Sequence, residues 1–213
     1  MGDALVYVAP SVCAVSAVWD RSGGLAGPVI QQQLSRFAAA LVDAHAAGED
    51  SAAVLVSNWS GGGDDELRSS GMLSEPLAQL IVARDHGFAT WSSIAGESDP
   101  TFELAVDAVV HGRIDELQAM LTDHADLPVR RSAYGHRATL LHYTAANGVE
   151  IRRQMVPANA ADVVAALLDA GADRSAKLHA YGGEFDALAM LKTSAHPRDA
   201  GLAAALEDAL SMA

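Results

Sequence analysis

The segment Thr139-Leu140-Leu141-His142-Tyr143-Thr144-Ala145-Ala146-Asn147-Gly148 is where the fold of this chain can be read. Thr139 is a residue type that caps helix N-termini, because its hydroxyl accepts a backbone N–H that the first turn leaves without a partner. Ala145 and Ala146 are small enough for another helix to approach closely. Gly148 supplies the positive φ that ends a helix. The pattern predicts a helix over residues 139–147 closed by Gly148. Downstream, Val163, Val164, Leu167 and Leu168 form the apolar stripe of a second helix, residues 162–170, ended by Gly171. Asp162 sits in its first turn, where negative charge suits the helix dipole.

Working outward, the same unit recurs. Residues 102–111 predict a helix followed by Gly112, and Ile114, Leu117, Met120 and Leu121 mark one over residues 114–121. Gly112 and Gly148 stand at equivalent positions, 36 residues apart. Residues 186–193 and 200–210 give a last pair. Helix–turn–helix units at a period near this value imply a helical solenoid.

These residues carry a resemblance. Thr139-Leu140-Leu141-His142 is similar to the ankyrin signature Thr-Pro-Leu-His, with Leu140 in place of proline. Leu167-Leu168-Asp169-Ala170-Gly171-Ala172-Asp173 resembles the close of the second ankyrin helix and the start of the finger. The resemblance implies that His142 is a structural residue bridging neighbouring turns. Departures are equally specific. About ten extra residues, 149–158, interrupt the central repeat. The finger between Ala172 and Asp186 is long and contains Tyr181-Gly182-Gly183. Residues 193–201 replace an ordinary short turn. This combination resembles a bacterial subfamily of ankyrin-repeat proteins with a short helical region before the repeats. Ala44-His45-Ala46-Ala47-Gly48-Glu49-Asp50 and residues 78–91 are similar to that region, so the likeness spans roughly residues 34–210. It implies an all-α fold: a helical N-terminal region packed on a short solenoid of about three repeats. It implies binding but no particular reaction.

Three regions follow: residues 1–29 without assignment, an N-terminal helical region at 30–96, and repeats at 102–210. In the first, residues 5–9 and 12–18 are short apolar runs, open between strands and a broken helix. Pro28 looks like an N1 proline opening a helix to Ala47, with Ile30, Leu34, Phe37, Leu41 and Ala44 on one face. Asp50 or Ser51 caps a second helix reaching Trp59. Residues 61–65 are a glycine-rich connector. Ser74 caps a third helix, with Pro76 in its first turn and Gly87 as its left-handed C-cap. Phe88 and Trp91 fold back as apolar anchors. At the far end, Ala203, Leu206 and Leu210 leave an apolar face through which a homodimer would form.

Half of the 213 residues are hydrophobic and 5% are aromatic, which suits helices packing small side chains closely. A chain this long can bury a core without staples. Cys13, the single cysteine, fits a reducing compartment and reads as a small buried hydrophobe. The formal net charge of −13 argues against nucleic acid as a partner. The apolar start has Asp3 where a signal peptide carries basic residues, and Pro10 interrupts its run. The expectation is a cytoplasmic protein without a membrane anchor.

Residues 130–153 hold Arg130, Arg131, Arg137, Arg152 and Arg153, five of the fourteen Lys and Arg residues, opposed only by Glu150. On two loops flanking one helix, these arginines would converge on an anionic ligand through charge-assisted hydrogen bonds. The alternative is that they pair with scattered carboxylates on a wet surface. On the ligand reading, Arg152→Ala or Arg153→Ala removes binding and leaves the melting temperature unchanged. A second set is Tyr134, His136, His142, Tyr143, Tyr181 and His196. If residues 179–185 fold over the groove, Tyr181 and His196 approach Tyr143 and enclose a pocket; otherwise His196 is a turn residue before Pro197. Arg137, His142, Tyr143, Arg152, Arg153, Tyr181 and His196 are therefore the candidate ligand-binding residues. No His-x-His, His-x3-His or Cys-x2-Cys spacing suggests a metal, and no phosphate loop or nucleophile elbow suggests a cofactor or a catalytic residue.

The expected function is protein recognition through the concave groove. The alternative is a small-molecule site or enzyme, for a small anionic ligand, with its pocket built by the long loops. A structural assembly subunit is the third. A deep pocket closed by residues 149–158 and 179–185 would favour the small molecule, and a shallow open groove the protein partner.

Overall fold

The computed structural model describes residues 4–61 and 71–211, which are mostly helical. The connector at residues 62–65 and Asp3 lie outside the described residues. Two short antiparallel ribbons are added to the expected all-α class.

Residues 1–29, open between strand and helix in sequence, contain one of each: strand β1 (Val6–Tyr7) and helix α1 (Pro10–Arg21). Pro10 opens α1 rather than interrupting it, because an N1 residue has no intrahelical N–H bond to lose. Val12, Val15, Val18 and Trp19 form its buried face, whereas Cys13 is exposed, contrary to its reading as a buried hydrophobe. Helix α2 (Ile30–Ala46) buries Ile30, Leu34, Phe37, Leu41 and Ala44, the stripe that the spacing predicts. It begins two residues after Pro28, because the chain there is held extended: Ser98 N–H donates to Pro28 O (2.8 Å) and Ile30 N–H to Gly96 O (3.2 Å). Helix α3 (Asp50–Trp59) starts after Glu49, without a side-chain cap. Helix α4 (Glu75–Asp85) is capped by Ser74, whose hydroxyl accepts from Leu77 N–H, and Gly87 follows at φ 77°. Phe88 and Trp91 pack against the core of this half.

The second half begins with α5 (Pro100–His111), capped by Asp99, and α6 (Ile114–Asp123). Helix α7 (Leu140–Tyr143) follows, then strand β2 (Val156–Pro157), α8 (Ala160–Asp169), the ribbon β3 (Leu178–Ala180) and β4 (Gly183–Phe185), and α9 (Ala187–Thr193). Helices α10 (His196–Asp199) and α11 (Ala203–Ser211) close the described chain. His196 thus starts a short helix rather than a turn.

Helix α7 is much shorter than the predicted 139–147. Its cap forms: Thr139 and His142 make a reciprocal box. After Tyr143 the N–H groups of Thr144, Ala145 and Ala146 turn to carbonyls three residues back, and Ala146 takes φ 47°. Tertiary contacts hold that end. Ser194 Oγ donates to Ala146 O (3.1 Å), and the Asn147 amide donates to Thr193 Oγ1 (2.9 Å) and Met190 O (3.3 Å). The finger after α8 is a hairpin, with Tyr181 (φ 50°) and Gly182 (φ 77°) as its two turn residues. Leu206 and Leu210 are buried inside the chain, so they are not the free apolar face proposed for a dimer.

Two apolar cores result. One gathers α1 to α4 with Tyr134 and Ile151; the other gathers α5 to α11. Tyr7 and Met155 pack against both. The halves are tied by β1 pairing with β2 inside the 149–158 insertion, and by two glycines. A Cβ on Gly87 would run into the His136 backbone, and one on Gly135 into the Gly87 carbonyl. Among the described residues, no helix is long and apolar enough to cross a membrane.

Candidate functional site

The insertion lies inside the molecule. Residues Ile151–Arg153 form a single 3-10 turn, with Arg152 7% and Arg153 5% exposed. Ile151 N–H donates to Asp85 Oδ1 (3.2 Å) and Ser16 Oγ to Arg152 O (3.1 Å), which fixes the turn against α4 and α1. Buried charge is tolerated only with partners, and here they are close. Arg153 reaches Glu103 Oε2 on α5 (2.5 Å) and Glu150 Oε1 (2.9 Å). His136 Nε2 donates to Glu150 Oε2 (2.9 Å), while its Nδ1 accepts from Ala138 N–H (3.1 Å). Burial works to raise the Glu150 carboxyl, but Arg153, His136 and Arg152 hold it well below its ordinary range. Burial likewise works to lower Arg153, and Glu103 and Glu150 keep it charged. The Tyr134 and Tyr143 hydroxyls are pushed up by burial first and the nearby glutamates next, so both rings stay neutral.

Arg152 is the least satisfied member. Its Nη2 makes two long contacts, to Tyr134 Oη and Glu150 Oε1, both 3.4 Å. Among the described residues its Nε is enclosed without an acceptor, and its Nη1 has no acceptor and is not enclosed. The guanidinium lies over the Trp19 ring, 4.1 Å from the centroid, a cation–π contact that fixes its plane. Arg152 and Trp19 line a cleft of about 750 Å³ between α1, the turn at residues 24–28 and α5. Its walls are Leu25, Pro28, Pro100, Leu104 and Met155; its floor carries Arg152, Arg153 and Glu103; Asp20, Asp107 and His111 lie along it. Asp107 is already paired with Arg113 and with His111 Nδ1 (3.2 Å). His111 and Arg113 hold its carboxyl below the ordinary range despite partial burial, and Asp107 raises His111 in return.

A second cavity of about 680 Å³ lies where the long hairpin meets α3 and α4, lined by Trp59, Asp85, Phe88, Val149 and Tyr181 among others. Tyr181 and Trp59 stack with centroids 6.4 Å apart. Trp59 Nε1 donates to Asp85 Oδ1 (3.1 Å). Burial, with Glu150 adding to it, pushes the Asp85 carboxyl up to about 7 against the hydrogen bond from Ile151 and the charge of Arg152. Asp85 Oδ2 has no hydrogen-bond partner, but it is enclosed.

The candidate residues are therefore dispersed. Arg152 and Arg153 share the first cleft and Tyr181 borders the second. Tyr143 is wholly buried, edge-on to His136 (6.1 Å). His142 bridges: its Nδ1 accepts from Thr139 N–H (3.1 Å) and its Nε2 donates to Ala176 O (3.1 Å), and burial lowers it to about 4. His196 contacts Gln154 Oε1 (3.2 Å), and Tyr181 Oη donates to Asn147 (2.8 Å), so neither approaches Tyr143 through these bonds. Arg137, at φ 55°, donates to Ser132 O (3.1 Å) and borders a shallow surface of mixed charge with Arg131, Lys177, Asp173 and Glu184. Arg130 pairs with Asp126 and Asp99. The five arginines do not converge on one point.

Glu103, Trp19, Asp85 and Leu104 escaped sequence reading. Two of them carried a signal. Glu103 shares the helical face of Val106 and Val110, and Asp85 that of Ile81 and Val82. An acid within an apolar stripe announces a buried partner. Among the described residues, no group of histidine, cysteine or acidic side chains could hold a metal ion. Comparison with family models, with curated proteins and with solved structures finds nothing that matches this chain.

Proposed function

We propose that the chain is an ankyrin-type stack of about three repeats whose N-terminal helices cover one side, and that it binds a small molecule in the cleft between α1 and α5. Support for the stack comes from the Thr139–His142 box and from the His142 bridge to Ala176, 34 residues on. The helix pairs α5–α6 and α7–α8 repeat around Gly112 and Gly148. The observation that carries the binding reading is that Arg152, buried and lining the cleft, has an Nη1 without an acceptor among the described residues. The cleft's volume is in the range of small-molecule pockets.

The pocket is not the one expected, with both long loops over the groove. The insertion supplies its floor and the hairpin takes no part. Protein recognition through an open groove has less support, because finger residues Tyr134 and His136 are buried against the N-terminal half. Native mass spectrometry of the protein purified from its own host tests the proposal. A retained small molecule is expected in the wild type and not in Leu104→Trp, which plugs the cleft from an exposed position. A molecule retained equally by both, or a co-purifying protein chain alone, overturns it.

A further inference from the structure

The cleft also specifies the chemistry of its occupant. Of the two buried arginines, Arg153 is spent on Glu103 and Glu150. Glu150 is shared further with His136 and, at long range, with Arg152. One carboxylate thus serves three donors, and Arg152 receives the least of it. A buried cation that is incompletely paired favours an anionic partner at its open edge. That edge is narrow. Nε is enclosed and Nη2 is engaged, so Nη1 offers one point of attachment rather than a two-nitrogen fork. Along the rest of the cleft Glu103 is offset by Arg153, and Asp107 by Arg113 and His111, while Asp20 has no ion-pair partner among the described residues, so a second negative charge on the occupant would find no second free cation there. The walls are hydrocarbon and aromatic.

We propose that the cleft holds an organic monocarboxylate with an apolar body, its carboxylate on Arg152 Nη1, and that it excludes phosphates. This rests on the small-molecule reading of the same cleft. Calorimetric titration with 4-phenylbutyrate, 4-phenylbutanol and 4-phenylbutyl phosphate tests it. The acid is expected to bind at least about ten-fold more tightly than either analogue, the scale of one charge-assisted hydrogen bond. Arg152→Met, checked for folding by circular dichroism, is expected to bring the acid down to the affinity of the alcohol. Leu104→Trp, on the exposed rim, is expected to abolish binding of all three. Alcohol or phosphate binding as tightly as the acid, with Leu104→Trp still blocking it, overturns the carboxylate class and leaves the small-molecule reading standing. Binding of none of the three, or binding indifferent to Leu104→Trp, overturns both.

Discussion

Of the three segments that break the spacing read from the sequence, two meet opposite fates. Residues 149–158 carry two arginines and are mostly buried, both arginines included; residues 178–185 carry few charges and form a hairpin whose tip is in solvent, with Tyr181 64% exposed. Charge alone would place them the other way round. The difference lies in what each segment finds. The insertion meets Glu150 within itself, Glu103 from α5, and an unpaired strand edge at β1, so its charges and its backbone are satisfied inside. The hairpin pairs with itself, buries Leu178 at its base in the second core, adds one backbone bond from His179 N–H to His136 O (2.8 Å), and leans Tyr181 on Trp59 and Asn147, with no buried charge to satisfy. A long loop between packed helices is therefore no sign of an exposed binding arm. Its counter-charges, which are distant in sequence, decide.

If the insertion is a tie, the largest effect comes from removing the acid at its centre. Glu150→Ala leaves Arg152, Arg153 and His136 without their shared carboxylate and is expected to cost about 3–5 kcal/mol in urea denaturation. A loss within about 0.5 kcal/mol, the ordinary surface value, would erase the contrast between the segments.

A second effect is read in pH. His86 and His142 are held neutral by burial, at about 3 and about 4 against an ordinary 6.5. The unfolded chain takes up protons that the folded chain refuses, so their contribution is whole above pH 6.5 and drains as pH falls toward 4. Asp85 has the opposite sign. Its folded value of about 7 lies above its ordinary 3.8, so its contribution is present below 3.8 and is lost as pH rises through 7. In Asp85→Asn, which can still accept from Trp59 and Ile151, the urea midpoint relative to wild type is expected to rise steadily between pH 4 and 7. A constant offset would mean that Asp85 titrates as an exposed carboxylate.

The smallest effect belongs to the hairpin. Tyr181→Gly removes the ring from Trp59 and the exposed hydroxyl from Asn147 but relieves a positive φ, and the losses and the gain act against each other. A change under about 1 kcal/mol is expected in thermal melts. A loss as large as that of Glu150→Ala would make the hairpin a tie as well.

Much of the architecture was legible. The stripe of α2, the caps at Ser74 and Thr139, and the turns at Gly87, Gly112 and Gly148 follow from local rules of periodicity and backbone freedom. What local rules missed was set from a distance. Helix α7 stops early because Ser194 and Thr193 hold residues 146 and 147. Strand β1 exists because residues 156–157 lie beside it. Of the candidate site, the arginines of the insertion were visible as a group, but their burial was not, since Glu103 is 50 residues away from Arg153. Trp19 and Leu104 carried no mark that separates a cleft wall from any other apolar residue.

Arg153 is an internal ion-pair partner and not a ligand clamp. A double-mutant cycle in urea on Glu103→Gln and Arg153→Met tests it most directly. Each single substitution is expected to cost about 3 kcal/mol or more, and the double variant less than their sum by over about 1.5 kcal/mol, because removing both leaves neither member of the Glu103–Arg153 pair buried alone, while Glu150 keeps His136 and Arg152. Single variants as stable as the wild type, with no coupling between them, would contradict it.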